Sequence, residues 1–383
     1  MDQRGLARAI EANDFTELAM LLGRGAKSEG GLYLAASLGH SDILQLLLDA
    51  NAVIDLPDSD GRTALFAACL EGRGDCVQLL LAAHAVVDQR DDCGATPLFA
   101  ACLQGHDDCV QQLLAARAAT DRPANNGATP LHTACLRGFG GSAKLLLAAR
   151  AAVDQRDKED ATPLFTACNY GHSDCVQLLL TAHAAIDQPA NNGATPLLLA
   201  CRQGHGDCVQ RLLAAHAIVG TPDNGGATPL HAACFIGHGS CVQLLLASHA
   251  AVDRPDEHGL TPLHTTCNED QGGCLQLLLA ARAALNPPDS DGDTPLHIAS
   301  GQGHGDCVQR LLAAHAGIDR LNNMSGTPLR VACQQGNGDC VQLLLNAHAA
   351  VDQPAISGVT SLMIACSEGH AGCVQLLLAA HAA

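Results

Sequence analysis

The chain has 383 residues and is 48% hydrophobic, yet it contains no tryptophan, two tyrosines and six phenylalanines, so its core must be packed from small aliphatic side chains and cysteine. The formal net charge of −18 excludes a typical nucleic-acid-binding protein, because contact with a phosphate backbone needs surplus lysine and arginine. The sequence shows neither a secretory leader nor an apolar stretch of about 18 residues, which predicts a cytoplasmic protein (with the nucleus as the alternative) and no membrane insertion.

The first predicted element is a terminal helical repeat at residues 1–29. It has the water-facing polar exterior that the end of a stacked array needs. The side chains that give it this exterior are Arg8, Glu11, Asn13, Asp14, Thr16 and Glu17. A second module follows from Leu32 to Ala52.

A fixed period then runs through the rest of the chain. Ten threonines stand 33 residues apart, at Thr63, Thr96, Thr129, Thr162, Thr195, Thr228, Thr261, Thr294, Thr327 and Thr360. Such a period indicates one supersecondary unit that is copied and stacked. We number the modules as repeats 1 to 12, so that repeat 3 contains Thr63.

Repeat 4 shows how one unit is built. Thr96 is a good helix N-cap, and Pro97 suits the first helical position, where a missing N–H costs nothing. The first helix is predicted to end at Gly105. A second helix is predicted to begin at Asp107 or Asp108, since a carboxylate favours the positive end of the helix dipole.

Four repeats open with the motif Thr-Pro-Leu-His, at Thr129, Thr228, Thr261 and Thr294. Motif and period together resemble the ankyrin repeat. The resemblance covers about residues 4–383 and implies an all-α repeat solenoid, an ankyrin-repeat array of about twelve helix–turn–helix units with projecting β-hairpin-like loops. It divides the chain into an N-terminal capping repeat, residues 1–29, and a continuous array of about eleven repeats, residues 30–383.

The last repeat has no polar cap. Residues 373–383 read like an internal second helix. We therefore expect either that the chain is a fragment of a longer protein or that further chain or a partner covers this C-terminal face.

Eighteen of the nineteen cysteines fall into two columns of the repeat. One column holds Cys69, Cys102, Cys135, Cys168, Cys201, Cys234, Cys267, Cys333 and Cys366, and the other holds Cys76, Cys109, Cys175, Cys208, Cys241, Cys274, Cys307, Cys340 and Cys373. In the ankyrin pattern these columns face the core, where a free cysteine acts as a small hydrophobic residue. Disulfides between cysteines seven residues apart, and a redox or metal sensor, are the alternatives. Cys93 lies outside both columns and is the candidate for a reactive thiol.

Histidines form three columns. In one they follow the glycine that ends the first helix, and in another they follow Pro-Leu, where the family uses histidine for hydrogen bonds between repeats. The third column stands after the second helix, where ankyrin repeats usually have glycine; it consists of His84, Arg117, Arg150, His183, His216, His249, Arg282, His315, His348 and His381. We interpret this column as helix caps in a left-handed conformation. The alternative is a basic stripe that makes partner binding depend on pH.

Candidate binding residues are sought where the repeats differ from one another. The two residues before the glycine that ends the first helix vary strongly, and the resemblance places them toward a concave groove. Aromatic and arginine side chains, which dominate binding hot spots, concentrate in the middle of the array. The predicted partner-binding residues are Leu136, Arg137, Phe139, Tyr170, Arg202, Phe235 and Ile236. The acidic and amide loop tips are a second candidate surface.

The resemblance implies a non-enzymatic scaffold that binds partner proteins, with basic or apolar surfaces, along the groove and loop tips. The alternative is a targeting or substrate-recruiting array of a larger protein with a catalytic, channel or ubiquitin-ligase domain. The sequence contains no phosphate-binding loop, nucleophile elbow or metalloprotease helix, so we predict no enzymatic activity, no metal site and no cofactor.

Overall fold

A computed structural model of the chain describes residues 3–24, 26, 30–354 and 358–380. The chain divides into two compact units, Met1–Asn191 and Asn192–Ala383, each of which contains six repeats. The described residues form 24 helices, two in each repeat, which confirms the predicted all-α solenoid fold class.

Unit 1 is made of the first twelve helices. They are α1 (Gln3–Glu11), α2 (Phe15–Gly23), α3 (Gly31–Leu38), α4 (Ser41–Asp49), α5 (Ala64–Leu70), α6 (Gly74–Ala82), α7 (Pro97–Gln104), α8 (Asp107–Ala115), α9 (Pro130–Arg137), α10 (Gly140–Ala148), α11 (Pro163–Asn169) and α12 (Ser173–Thr181). Within the unit, the first helix of each repeat packs against its own second helix and against the first helix of the next repeat.

Unit 2 repeats this packing with the other twelve helices. They are α13 (Pro196–Gln203), α14 (Gly206–Ala214), α15 (Pro229–Ile236), α16 (Gly239–Ala247), α17 (Pro262–Asn268), α18 (Gly272–Ala280), α19 (Pro295–Gln302), α20 (Gly305–Ala313), α21 (Pro328–Gln335), α22 (Gly338–Asn346), α23 (Ser361–Ser367) and α24 (Ala371–Ala379).

The repeated motif fixes the helix boundaries as predicted. The Thr96 hydroxyl accepts a hydrogen bond from the Phe99 N–H at 3.2 Å, Pro97 begins α7, and Gly105 ends it in the left-handed conformation at φ 74°. The second helix, α8, begins at Asp107. These interactions are local to one repeat, which is why the sequence was sufficient to predict them.

The projecting loops are hairpin-like turns. In the loop before α7, the Asp91 N–H donates to the Ala95 carbonyl at 2.9 Å, and the Asp92 N–H reaches the Asp60 carbonyl of the preceding loop at 3.0 Å. Each loop adds too few such bonds to build a sheet, and no β-strand occurs in the residues that the structure describes.

The two cysteine columns fill the core. All nineteen cysteines are free thiols, and seventeen are buried; the exposed ones are Cys93 and Cys366. Cys366, in α23 of the last repeat, departs from its column, because in the inner repeats the helix of the following repeat covers this side chain. Thiols of successive repeats contact each other, as Cys135 and Cys175 do. Burial raises the pKa of most of these thiols, for example that of Cys109 to about 11.

The histidine and arginine column after the second helix is left-handed. From His84 to His348 its members have φ between 61° and 66°, and Asn51 has φ 59° at the same position of repeat 2. This conformation confirms the capping interpretation. His381 lies outside the described residues.

An unpredicted ladder of side chains joins the loops of successive repeats. In unit 1 the Asp88 carboxylate accepts a hydrogen bond from the Ala119 N–H at 3.1 Å, and in unit 2 the Asp253 carboxylate accepts one from the Ala284 N–H at 2.9 Å. Both pairs are 31 residues apart. These aspartates belong to the loop structure and are not available to a partner as isolated charges.

Candidate functional site

Two grooves lie along the ends of the first helices, one within each unit. Groove 1, in unit 1, has a volume of about 660 Å³ and is lined by Phe99, Leu103, Asn126, Ala128, His132, Thr133, Leu136, Asp157, Lys158, Glu159, Ala161, Phe165, Thr166, Asn169 and Tyr170. Groove 2, in unit 2, has a volume of about 550 Å³ and is lined by Arg202, Ala227, His231, Ala232, Phe235, Ile236, Asp256, Leu260, His264, Thr265, Asn268, Glu269 and Ile298. Both volumes fall within the roughly 300–1,000 Å³ range of ligand pockets.

Groove 2 brings three of the predicted residues together. Phe235 and Ile236 are the last two residues of α15 and come directly before Gly237, which ends the helix at φ 90°. Their side chains are 50% and 46% exposed. Arg202 also lines the groove and occupies, in the preceding repeat, the position that Phe235 has in its own. The groove therefore contains a pair of adjacent, half-exposed apolar side chains.

Leu260 and Ile298 complete the apolar lining of groove 2. Sequence reasoning missed both, although a signal was present. Leu260 stands directly before the repeat threonine, where five of the ten repeats with this threonine have alanine. Ile298 stands four residues after the threonine of its own repeat, where repeats 8 and 9 have Ala232 and Thr265. Variable positions outside the last turn of the first helix thus also belong to the groove.

The floor of groove 2 contains two neutral histidines. In His264 the Nδ1 atom accepts a hydrogen bond from the Thr261 N–H at 3.0 Å, so the Nε2–H donates to the Asp293 carbonyl at 3.1 Å. His231 makes the same contacts with Thr228 and Leu260. Burial lowers the pKa of both imidazoles, although the backbone hydrogen bonds and nearby aspartates oppose the shift. Both rings therefore hold repeats together and carry no charge near neutral pH.

The charged groups of groove 2 are mainly acidic. Arg202 is paired with Asp223 at 3.4 Å, so its charge is largely compensated. Asp256 is held by the N–H groups of His258 and Leu260, both at 2.9 Å. Glu269, half-buried at the end of α17, accepts a hydrogen bond from the Asn268 side chain at 2.7 Å.

Groove 1 contains the predicted residues Leu136 and Tyr170. Tyr170 follows α11 and is 52% exposed, whereas Leu136, Phe99 and Phe165 are half-buried. Lys158 lies in the lining between two carboxylates, those of Asp157 and Glu159. A single large exposed ring, surrounded by mixed charge, therefore dominates this groove.

Arg137 and Phe139 line neither groove. Arg137 is exposed at the end of α9. Phe139 packs its ring against Gly105 of the preceding repeat, where a Cβ atom would lie 2.5 Å from the ring. His106 and His172 lie in the same way on Gly72 and Gly138. The Phe139 ring thus contributes packing between repeats.

The described residues contain neither a metal-ligand cluster nor a membrane-spanning helix. No group of three or more histidine, cysteine, aspartate or glutamate side chains is arranged as metal ligands. No described helix combines the length and the apolar character needed to cross a bilayer.

Comparison with known proteins gives one result. A family model described as ankyrin repeats, in three copies, matches eight overlapping segments of the chain. These are residues 6–91, 83–157, 138–223, 164–256, 206–289, 230–322, 271–355 and 302–383. The matches together span residues 6–383. No curated protein matches the chain in sequence.

Proposed function

Because this chain belongs to the ankyrin repeat family, whose repeats are generally protein–protein interaction modules and typically non-catalytic, we propose that it is a non-enzymatic scaffold that binds partner proteins through its grooves and loop tips. Groove 2 is its main anchoring site. The observation that supports this assignment is the adjacent pair Phe235 and Ile236, which stay half-exposed beside the further apolar residues Leu260 and Ile298.

The partner presents apolar or basic surfaces. Exposed apolar patches rimmed by polar groups are typical of interaction sites, and a chain with net charge −18 repels acidic partners. The nineteen free thiols support a location in the cytoplasm or nucleus, where thiols are kept reduced.

The test is selection of a phage-displayed random peptide library on the full chain, followed by affinity measurement for the enriched peptides. Phe235→Ala combined with Ile236→Ala should weaken the binding of these peptides by about 2 kcal/mol, or roughly thirtyfold in affinity, as truncation of a hot spot does. Ile218→Ala is the matched control, since Ile218 is 59% exposed in the same unit but lies outside the groove.

Tyr170→Ala then separates the two grooves. This substitution should leave the affinity for peptides that bind groove 2 unchanged and should lower the affinity for any peptide that binds groove 1. If no enriched peptide depends on Phe235, Ile236 or Tyr170, while circular dichroism shows the variants folded, the grooves are not the binding sites and the proposal is wrong.

A further inference from the structure

Groove 2 contains more negative than positive charge. Its lining includes two carboxylates, Asp256 and Glu269, and one cation, Arg202. Arg202 already interacts with Asp223 at 3.4 Å. The two histidines of the floor are neutral because burial lowers their pKa. The apolar side chains therefore lie beside uncompensated negative charge.

Glu269 occupies an unfavourable position for a carboxylate. It is the C-cap of α17, at the end of the helix where the unpaired carbonyl groups concentrate negative potential. The hydrogen bond to its side chain does not offset this negative potential, since the donor is the neutral Asn268 amide. A cationic group bound there would be stabilised both by the carboxylate and by the end of the helix.

The distance between the apolar pair and Glu269 sets the spacing of a ligand. Ile236 and Glu269 are 33 residues apart and occupy the same position of successive repeats. Packed helices lie about 8–10 Å apart, and an extended peptide advances about 3.3–3.6 Å per residue. Roughly three residues of an extended segment thus span the two positions.

From this arrangement, and resting on the proposed function, we infer that groove 2 binds a basic, apolar protein segment. Its aliphatic or aromatic anchor packs on Phe235 and Ile236, and a lysine or arginine roughly three residues away reaches Glu269 and Asp256. An acidic segment is disfavoured, because it would meet these two carboxylates and would have to displace Asp223 from Arg202.

The test uses the peptides enriched by the random library on the full chain. We expect those that depend on Phe235 and Ile236 to contain an apolar residue and a lysine or arginine roughly three positions apart. Glu269→Gln should lower the affinity for these peptides about threefold to tenfold, which is the effect of losing one partly buried charge pair. Higher salt should weaken binding to the wild-type chain more than to this variant.

Glu71→Gln is the matched control, because Glu71 is the C-cap of α5 at the same position of its repeat but lies outside both grooves. It should leave the affinity unchanged. If peptides bind at Phe235 and Ile236 but lack basic residues, or bind Glu269→Gln as tightly as wild type, the basic-segment inference is wrong while the scaffold proposal stands. If no peptide depends on the apolar pair, the basic-segment inference fails, and the scaffold proposal fails with it only if no peptide depends on Tyr170 either.

Discussion

Groove 1 and groove 2 are formed by the same positions of the repeat but differ in the side chains that fill them. In groove 1 the exposed aromatic side chain is Tyr170, a ring with a polar hydroxyl, and Lys158 belongs to the same lining. In groove 2 the exposed pair is Phe235 and Ile236, and the cation of its lining, Arg202, is paired with Asp223. The backbone motif is the same in both grooves, so we expect any difference in binding between them to arise at the seventh and eighth residues after each threonine and at the surrounding lining residues.

The two units also differ in the number of buried histidines that join repeats. In unit 1, His132 accepts from the Thr129 N–H and donates to the Ala161 carbonyl. In unit 2, His231, His264 and His297 each make these contacts. Groove 1 has one such histidine in its lining and groove 2 has two. Acid should therefore affect unit 2 more.

The largest expected effect is an acid-induced loss of stability that is concentrated in unit 2. Burial lowers the pKa of His132, His231, His264 and His297 from the ordinary 6.5. The unfolded chain therefore takes up these protons first as pH falls. The contribution of these histidines to the free energy of unfolding is complete above pH 6.5. It is lost as pH falls from 6.5 through the lower pKa of the folded state, because a proton on Nδ1 would face the threonine N–H. Each unit of pKa depression corresponds to about 1.4 kcal/mol.

Amide hydrogen exchange at pH 7.5 and pH 5.5, corrected for the intrinsic effect of pH, measures this difference helix by helix. Protection in α15 to α19 should fall more than in α5 to α11. The control replaces His231, His264 and His297 with phenylalanine. Three repeats of unit 1 already have phenylalanine at this position, as Phe66, Phe99 and Phe165. Equal acid sensitivity of the two units, or of the triple variant and wild type, would show that the buried histidines do not cause the acid-induced loss of stability.

A smaller effect is expected from transferring the apolar pair to groove 1. Repeats 5 and 8 both have the capping histidine and the left-handed glycine, so Leu136→Phe with Arg137→Ile reproduces Phe235 and Ile236 on α9. In a chain that also carries Phe235→Ala and Ile236→Ala, this change should restore about tenfold in affinity for peptides of groove 2. The gain corresponds to about 1.4 kcal/mol of buried apolar surface.

Binding is measured by titration of one such peptide into the four-residue variant and into its parent. If the affinity does not recover, the apolar pair alone does not define the site. Leu260 and Ile298, which groove 1 lacks, would then be required as well.

The fold was largely predictable because its signals are local, whereas the residues that line the candidate site were predictable only in part. The threonine cap, the proline and the terminal glycine act within one repeat, so they set helix boundaries such as those of α7 without tertiary information. Variability between repeats found Tyr170, Phe235 and Ile236, which line the grooves. It also selected Phe139, whose ring packs on Gly105, because variability does not tell on which side of a turn a residue lies.

Relations between repeats were the least predictable. The contact between Cys135 and Cys175, 40 residues apart, depends on how one repeat is offset against the next, and the sequence period does not contain that offset. The same holds for Asp88, whose role became visible only from its hydrogen bond to the Ala119 N–H. The repeat motif predicts what lies within a module, whereas contacts between modules require the structure.

The smallest expected effect concerns the left-handed caps, and it tests the two units separately. His183 in unit 1 and His216 in unit 2 have φ 62° and 66°, a conformation that is strained for residues with a Cβ atom. Either His183→Gly or His216→Gly should raise stability by about 1 kcal/mol, since glycine adopts this conformation without strain. Chemical denaturation of each variant and of the wild type gives the change in free energy of unfolding.

Ala215→Gly is the control for the cap substitutions, since Ala215 precedes His216 and has φ −89°. Glycine there should lower stability by about 0.5–1 kcal/mol through its greater backbone entropy in the unfolded chain. A loss of stability with His216→Gly would mean that contacts of the imidazole outweigh the backbone strain. The histidine column would then stabilise the helix ends through its side chains, and the comparison of His183 with His216 would show whether it does so equally in both units.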